Sequence, residues 1–217
     1  AVTIPLTVRV PVGGGIHAPE LHSDSPEAIY AHHPGLKVVM PSSPYDAKGL
    51  LISAIRDPDP VMFFEPKRVY RSFREEVPED EYTIEIGKGK VVEEGTDLTV
   101  VTWGAPVYQC LEAMDKLPED LSVELIDLRS IYPYDEDIIL ESVEKTGRCV
   151  VVHEAPKTCG FGAEIAAMVQ ERAFLHLKAP VQRIAGYDTV MPYYKLGLEY
   201  LPETPRMLDG IMAWGTS

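Results

Sequence analysis

Short apolar runs alternate along this chain with longer segments of helical periodicity. Residues 6–10 (Leu-Thr-Val-Arg-Val), 35–40 (Gly-Leu-Lys-Val-Val-Met) and 61–65 (Val-Met-Phe-Phe-Glu) have the length and the β-branched or aromatic content of strands. Residues 26–33 predict a short helix. Residues 44–56 predict a longer one, with Ala47, Leu50, Leu51, Ala54 and Ile55 on one face. Ser42 or Ser43 can cap it, Pro44 suits its first turn, and Asp57-Pro58-Asp59-Pro60 stops it. A second set follows, with strands at 98–102, 122–128, 149–152 and 181–184. Its helices fall at 105–117, 134–145, 161–174 and 205–213. Such β-α-β alternation predicts an α/β protein of parallel sheets with helices on their faces.

The pattern divides the chain into a first unit at residues 1–73, a linker at 74–90 and a second unit at 91–217. The linker opens on Arg74-Glu75-Glu76-Val77-Pro78-Glu79-Asp80-Glu81, read as a solvated surface run rather than a binding tail. The second unit is a complete small α/β domain. The first holds about three strands and two helices, whereas a parallel sheet needs both faces covered. Its sheet is therefore expected to continue in residues outside this sequence or in a partner chain. The start, Ala1-Val2-Thr3-Ile4, lacks Met, shows no signal or transit peptide and runs almost directly into a strand. It predicts that something precedes it.

Charge narrows the classes. The 217 residues carry 20 Lys and Arg against 34 Asp and Glu, a formal net charge of −14. Nucleic acid and anionic membrane surfaces are disfavoured partners, because phosphate binding needs clustered Lys and Arg. No apolar run approaches the roughly 18 residues of a membrane span. Cys110, Cys149 and Cys159 are odd in number and lack C-x-x-C spacing, so a disulfide framework or zinc site is disfavoured and a reducing compartment favoured.

Candidate chemistry gathers in residues 11–27, Pro-Val-Gly-Gly-Gly-Ile-His-Ala-Pro-Glu-Leu-His-Ser-Asp-Ser-Pro-Glu. Three glycines allow positive φ and close approach to a ligand, and the loop follows a strand's carboxyl end. His22 can exchange a proton near neutral pH or simply cap and pack. His17 lacks the flanking Ser-Asp-Ser, and His32-His33 suit a helix end. There is no P-loop and no G-x-G-x-x-G. The end of the 44–56 helix, bracketed by Ala54, Asp57 and Asp59, offers carbonyl oxygens to a cation or to capping water. Glu65-Pro66-Lys67-Arg68 and His153-Glu154-Ala155-Pro156 end strands and suit either a ligand or surface ion pairs. Residues 186–194 form an aromatic, turn-rich tract that suits core or interface.

Several segments carry a resemblance. They are residues 22–28 (His-Ser-Asp-Ser-Pro-Glu-Ala), 33–39 (His-Pro-Gly-Leu-Lys-Val-Val), 43–50 (Ser-Pro-Tyr-Asp-Ala-Lys-Gly-Leu) and 63–67 (Phe-Phe-Glu-Pro-Lys). Residues 126–131 (Ile-Asp-Leu-Arg-Ser-Ile), 153–156 and 186–189 (Gly-Tyr-Asp-Thr) follow in order. Together they resemble the β subunit of the thiamine-diphosphate-dependent 2-oxoacid dehydrogenase E1 component, within the transketolase-like group. The resemblance implies a partial parallel-sheet pyrimidine-binding domain followed by a transketolase C-terminal-type α/β domain. It implies an upstream glutamate that contacts the cofactor, outside residues 1–217. His22 matches the family's β-chain histidine, which orients and protonates the lipoyl group. A K⁺ site is implied at Ile4, Leu6, Thr7, Ala54, Asp57 and Asp59, which favours the cation over water at this helix end. Asp188 is the candidate contact for basic residues of E2.

The implied function is oxidative decarboxylation of a 2-oxoacid with acyl transfer to lipoyl-E2. Thiamine diphosphate would be shared with an E1α subunit in an α2β2 heterotetramer, with Mg²⁺ on the α side and E2 lipoyl acyltransferase as the docking partner. Residues 65–67 and 153–156 lean towards branched-chain substrates, with a pyruvate-specific E1β as the alternative. Two rivals are a sugar-phosphate enzyme of the transketolase type, which lacks support in a phosphate-gripping basic cluster, and a non-catalytic scaffold. The compartment expected is the cytoplasm of a prokaryote, or the mitochondrial matrix of a eukaryote.

Overall fold

Residues 2–18 and 22–215 are described by the computed structural model. Ala1, Thr216, Ser217 and residues 19–21 in the middle of the Gly/His loop lie outside the described residues. Strands β1 (Thr7–Val12), β2 (Lys37–Val39) and β3 (Val61–Pro66) run parallel in the order β1-β3-β2. Helices α1 (Glu27–Ala31) and α2 (Pro44–Arg56) lie between them in sequence. α2 starts where the sequence places it: Ser43 Oγ accepts from the Asp46 amide at 3.1 Å, with Pro44 in the first turn. Its Leu50 and Ala54 pack on Val39, Val61 and Phe63 of the sheet.

The fourth strand of this sheet comes from the second unit. β7 (Ser130–Tyr132) pairs antiparallel with β2. Three residues are too few to show a period, so the sequence predicted no strand there. The outer edge of β1 has no strand partner among the described residues, and Val2, Ile4 and Leu6 beside it are exposed.

The second sheet has the order β4-β6-β5-β8-β9, with β4 (Lys90–Glu93), β5 (Leu98–Thr102), β6 (Val123–Asp127), β8 (Cys149–Pro156) and β9 (Gln182–Gly186). All pairings are parallel except β4 with β6. The sequence left β4 unassigned, its first residue lying in the predicted linker. α3 (Pro106–Met114) and α7 (Thr204–Gly215) cover one face, bringing Val107, Cys110, Met207 and Ile211 against Leu98, Val100 and Val150. α4 (Glu136–Thr146) and α5 (Gly162–Ala173) cover the other. That second cluster continues through Trp103 into Val12, Met40 and Phe64, so one core spans both units. A short helix, α6 (Gly197–Tyr200), precedes α7.

The charged linker runs against α2. Lys48 donates to the carbonyls of Pro78, Glu79 and Asp80, and Tyr82 stacks on Tyr45 at 4.5 Å. Cys110 and Cys149 are buried and Cys159 is exposed. Burial pushes the Cys149 thiol up to about 12.

Candidate active-site loop and its neighbours

The Gly/His loop leaves β1 after Val12 and returns at α1. Its neck is closed by the Gly13 amide donating to Asp24 O at 2.9 Å. Gly13 and Gly15 have φ of +87° and +82°, which a side chain would strain. Inside the loop, Ser23 Oγ donates to Ala18 O at 3.0 Å. His22 is exposed, and Lys67 from the end of β3 donates to its carbonyl. His17 Nδ1 lies 2.8 Å from Tyr194 O, so it faces the C-terminal unit.

Glu154, near the end of β8, reaches into this loop. Its Oε1 accepts from the Gly14 amide at 2.5 Å and from Ser25 Oγ at 3.0 Å. Burial pushes this carboxyl up from its ordinary value, while the Gly14 and Ser25 donors and Arg68 pull it back. His153 points to the opposite side of the strand, as alternation requires. Its ring stacks on Trp103 at 5.5 Å and 8°, and Gly160 and Gly162 leave it room. Burial pushes His153 down to about 4, so it is neutral at pH 7.

Glu27 opens α1 as a buried acid. Trp103 Nε1 donates to its Oε1 at 3.2 Å, and burial pushes the carboxyl up to about 8. Sequence reasoning placed Glu27 only in the loop's polar flank and did not assign Glu154 to the loop. Their burial depends on Trp103 and on a turn of the other unit, which no local pattern reveals.

At the implied K⁺ site the lead-in of β1 lies against the end of α2 and the turn that follows it. Thr7 Oγ1 donates to Ala54 O at 2.9 Å, Ile4 N to Pro58 O at 3.0 Å, and Val61 N to Leu6 O at 2.8 Å. Lys37 Nζ lies 2.7 Å from both Asp57 oxygens and 3.3 Å from Asp59 Oδ2. Burial alone would lower the Lys37 ammonium, but Asp57 and Asp59 outweigh it and hold it above its ordinary value. The two carboxylates are thus engaged by Lys37. Among the described residues no group of three or more His, Cys, Asp and Glu converges as a metal site. What this helix end can offer a cation is carbonyl oxygen.

Asp188 sits apart from that helix end. It accepts from Thr158 N at 2.8 Å and Thr158 Oγ1 at 2.6 Å, and these bonds hold its carboxyl below the usual range. A cleft of about 510 Å³ lies between Asp188 and the His22 loop, with Ser23, Ser25, Glu154 and Tyr200 in its walls. Tyr187, Val190, Tyr193 and Tyr194 are exposed nearby.

Comparison with known proteins places this arrangement. Residues 87–207 match the transketolase C-terminal domain, and residues 1–72 match the transketolase pyrimidine-binding domain. The chain belongs to the transketolase C-terminal domain family. It is 55% identical over 208 residues to the pyruvate dehydrogenase E1 component subunit beta of Bacillus subtilis (strain 168), covering 95% of this chain and 64% of that protein. The same subunit of Staphylococcus aureus (strain N315) gives the same identity and coverage. The chain thus spans about 64% of the length of these relatives. A solved structure described as a split-gene transketolase, an inactive β4 tetramer, superposes with a TM-score of 0.80 at 23% identity. It covers 99% of this chain and 67% of its own, and it shows the fold.

These findings bear out the two-part transketolase-like α/β architecture. Both named relatives are of the pyruvate type, against the lean of residues 65–67 and 153–156 towards branched-chain enzymes. The motifs behind that lean do architectural work here. Glu65 accepts from Arg9 and Tyr70, each at 2.5 Å, Lys67 holds the loop, His153 packs on Trp103, and Glu154 meets Gly14.

Proposed function

We propose that this chain is part of the β subunit of a 2-oxoacid dehydrogenase E1 component, of the pyruvate type, acting with an E1α subunit and passing its acyl group to lipoyl-E2. One observation carries the reading: 55% identity to such subunits over 95% of the chain. The geometry is consistent with it, since the His22 loop follows the carboxyl end of a parallel strand, where open α/β sheets bind ligands. Thiamine diphosphate, when bound, would supply the electron sink for loss of carbon dioxide. The described residues fit it as one wall of a site. The loop's glycines admit close approach and His22 is exposed. The neighbouring cations are already engaged, Lys67 by His22 O and Arg68 by Glu203. The diphosphate and its Mg²⁺ would therefore fall to E1α.

His22 would hold and deliver a proton at a lipoyl sulfur, as an imidazole can near neutral pH. K⁺ would bind the carbonyls around Ala54, Ile4 and Leu6 and tie the lead-in of β1 to the end of α2. Asp188, kept ionised by Thr158, would meet a basic residue of E2. The named relatives are bacterial, and a cytoplasmic location is proposed with the function. The test is co-expression with an E1α subunit and assay of lipoyl-domain acetylation from pyruvate. His22→Ala should lower acetylation at least about 100-fold while the complex still assembles. Acetylation at the wild-type rate would overturn the role.

A further inference from the structure

We propose that Glu154, from the C-terminal unit, is the positioning residue that sets the shape of the His22 loop. The proposal rests on the E1 reading only in treating this loop as the active-site loop. One oxygen, Glu154 Oε1, ties both legs of the loop, Gly14 on the way out at 2.5 Å and Ser25 on the way back at 3.0 Å. These partners are 140 and 129 residues away in sequence. Below this tie, among the described residues, the neck is closed by the Gly13–Asp24 backbone bond. Only Ser23 and Asp24 separate His22 from Ser25, so the second tie fixes the leg on which the imidazole stands.

Each of the three glycines has a close neighbour in this region. A Cβ on Gly13 would lie 3.2 Å from Glu154 Oε1, and one on Gly14 would lie 2.6 Å from Met191 Cε. One on Gly15 would meet Arg68 Cδ at 2.8 Å. Arg68 is itself held by Glu203 through bonds of 2.5 and 2.9 Å. Met191, Glu154 and Glu203 all belong to the C-terminal unit. The loop therefore takes its form from the second unit as well as from Lys67 and Arg68 of its own unit. Removing the carboxylate releases both legs at once and leaves the neck bond and the Lys67 contact in place. Gln at this position keeps an acceptor oxygen on the same reach, whereas Ala keeps none.

The experiment compares wild type, Glu154→Ala and Glu154→Gln in the assembled complex with E1α. Backbone hydrogen exchange is read for residues 13–25 and for β5 and β6, alongside kcat and KM for lipoyl-domain acetylation. Glu154→Ala should speed loop exchange about tenfold or more, leave β5 and β6 unchanged, and lower kcat more than it changes KM. Glu154→Gln should return loop exchange most of the way. Unchanged loop exchange in the Ala variant, or a Gln variant as fast as Ala, overturns the proposal. If Glu154→Ala does not fold, Ser25→Ala cuts one leg alone and should speed exchange about threefold; no change there overturns it equally. If loop exchange responds but wild type itself fails to acetylate, the function falls and the clamp stands.

Discussion

At Glu27 a carboxyl group lies 1% exposed at the start of α1, with Trp103 Nε1 as its side-chain donor. Burial pushes it to about 8, above the ordinary 4.5. A raised folded-state value means that the folded chain holds a proton which the unfolded chain gives up. Stability is therefore fully present below the unfolded value of 4.5 and falls as pH rises towards 8, by at most about 1.4 kcal/mol per pH unit. Glu27→Gln removes the titration and keeps the shape. The expected outcome is a Tm close to wild type at pH 5 and clearly higher than wild type at pH 8. A gap that does not widen with pH would show that Glu27 is not the group responsible. At this scale the sequence was only partly legible. His22 stood out because histidine and glycine are concentrated in one loop. Glu27 and Glu154 did not, because an acid's burial is decided by distant partners, here Trp103 76 residues away and Gly14 140 residues away.

Among the elements, those with a sustained period were legible and those shaped by their partners were not. α2 follows its apolar face and its Ser43 cap, and β5, β6 and β8 follow their β-branched runs. β7 and β4 are three and four residues long, and pairing with β2 and β6 makes them strands. The linker's acids are exposed, as their charge predicts, and two of them also touch α2: Glu75 Oε2 accepts from Tyr45 N at 2.9 Å and Glu81 pairs with Arg56 at 2.5 Å. The junction between α2 and the lead-in of β1 is where an element-scale effect of cations belongs. A carbonyl site for K⁺ there would favour the folded chain by mass action. At equal ionic strength, K⁺ should raise Tm by a few degrees over Na⁺, and removing the Thr7 hydroxyl in Thr7→Val should shrink that difference. Superimposable melting curves in the two salts would count against the site.

Across the whole molecule the two units share more than a covalent link. β7 of the second unit completes the first sheet, and the core runs from Val12 through Trp103 to Val151 without a break. Buried polar ties cross the same boundary. Ser42 Oγ donates to Asp127 Oδ2 at 2.5 Å, and Arg129 pairs with Asp46 at 3.1 Å. Arg129 also donates its amide to Asp127 Oδ1 at 3.0 Å and its guanidinium to the carbonyls of Lys88 and Gly89. Asp46 and Asp127 are both buried, so Arg129 is the cation that keeps two acids tolerable in one place. Burial already pushes Asp127 up to about 7. Taking Arg129 away leaves an uncompensated buried carboxylate, which typically costs about 3–5 kcal/mol. Because that loss sits on the boundary, it should lower the stability of both units together. Wild type is expected to unfold in a single calorimetric transition whose van't Hoff and calorimetric enthalpies agree. Arg129→Met should move that transition several degrees lower without splitting it. Two resolved transitions in wild type would mean that the units fold apart and that the shared core contributes little to their coupling.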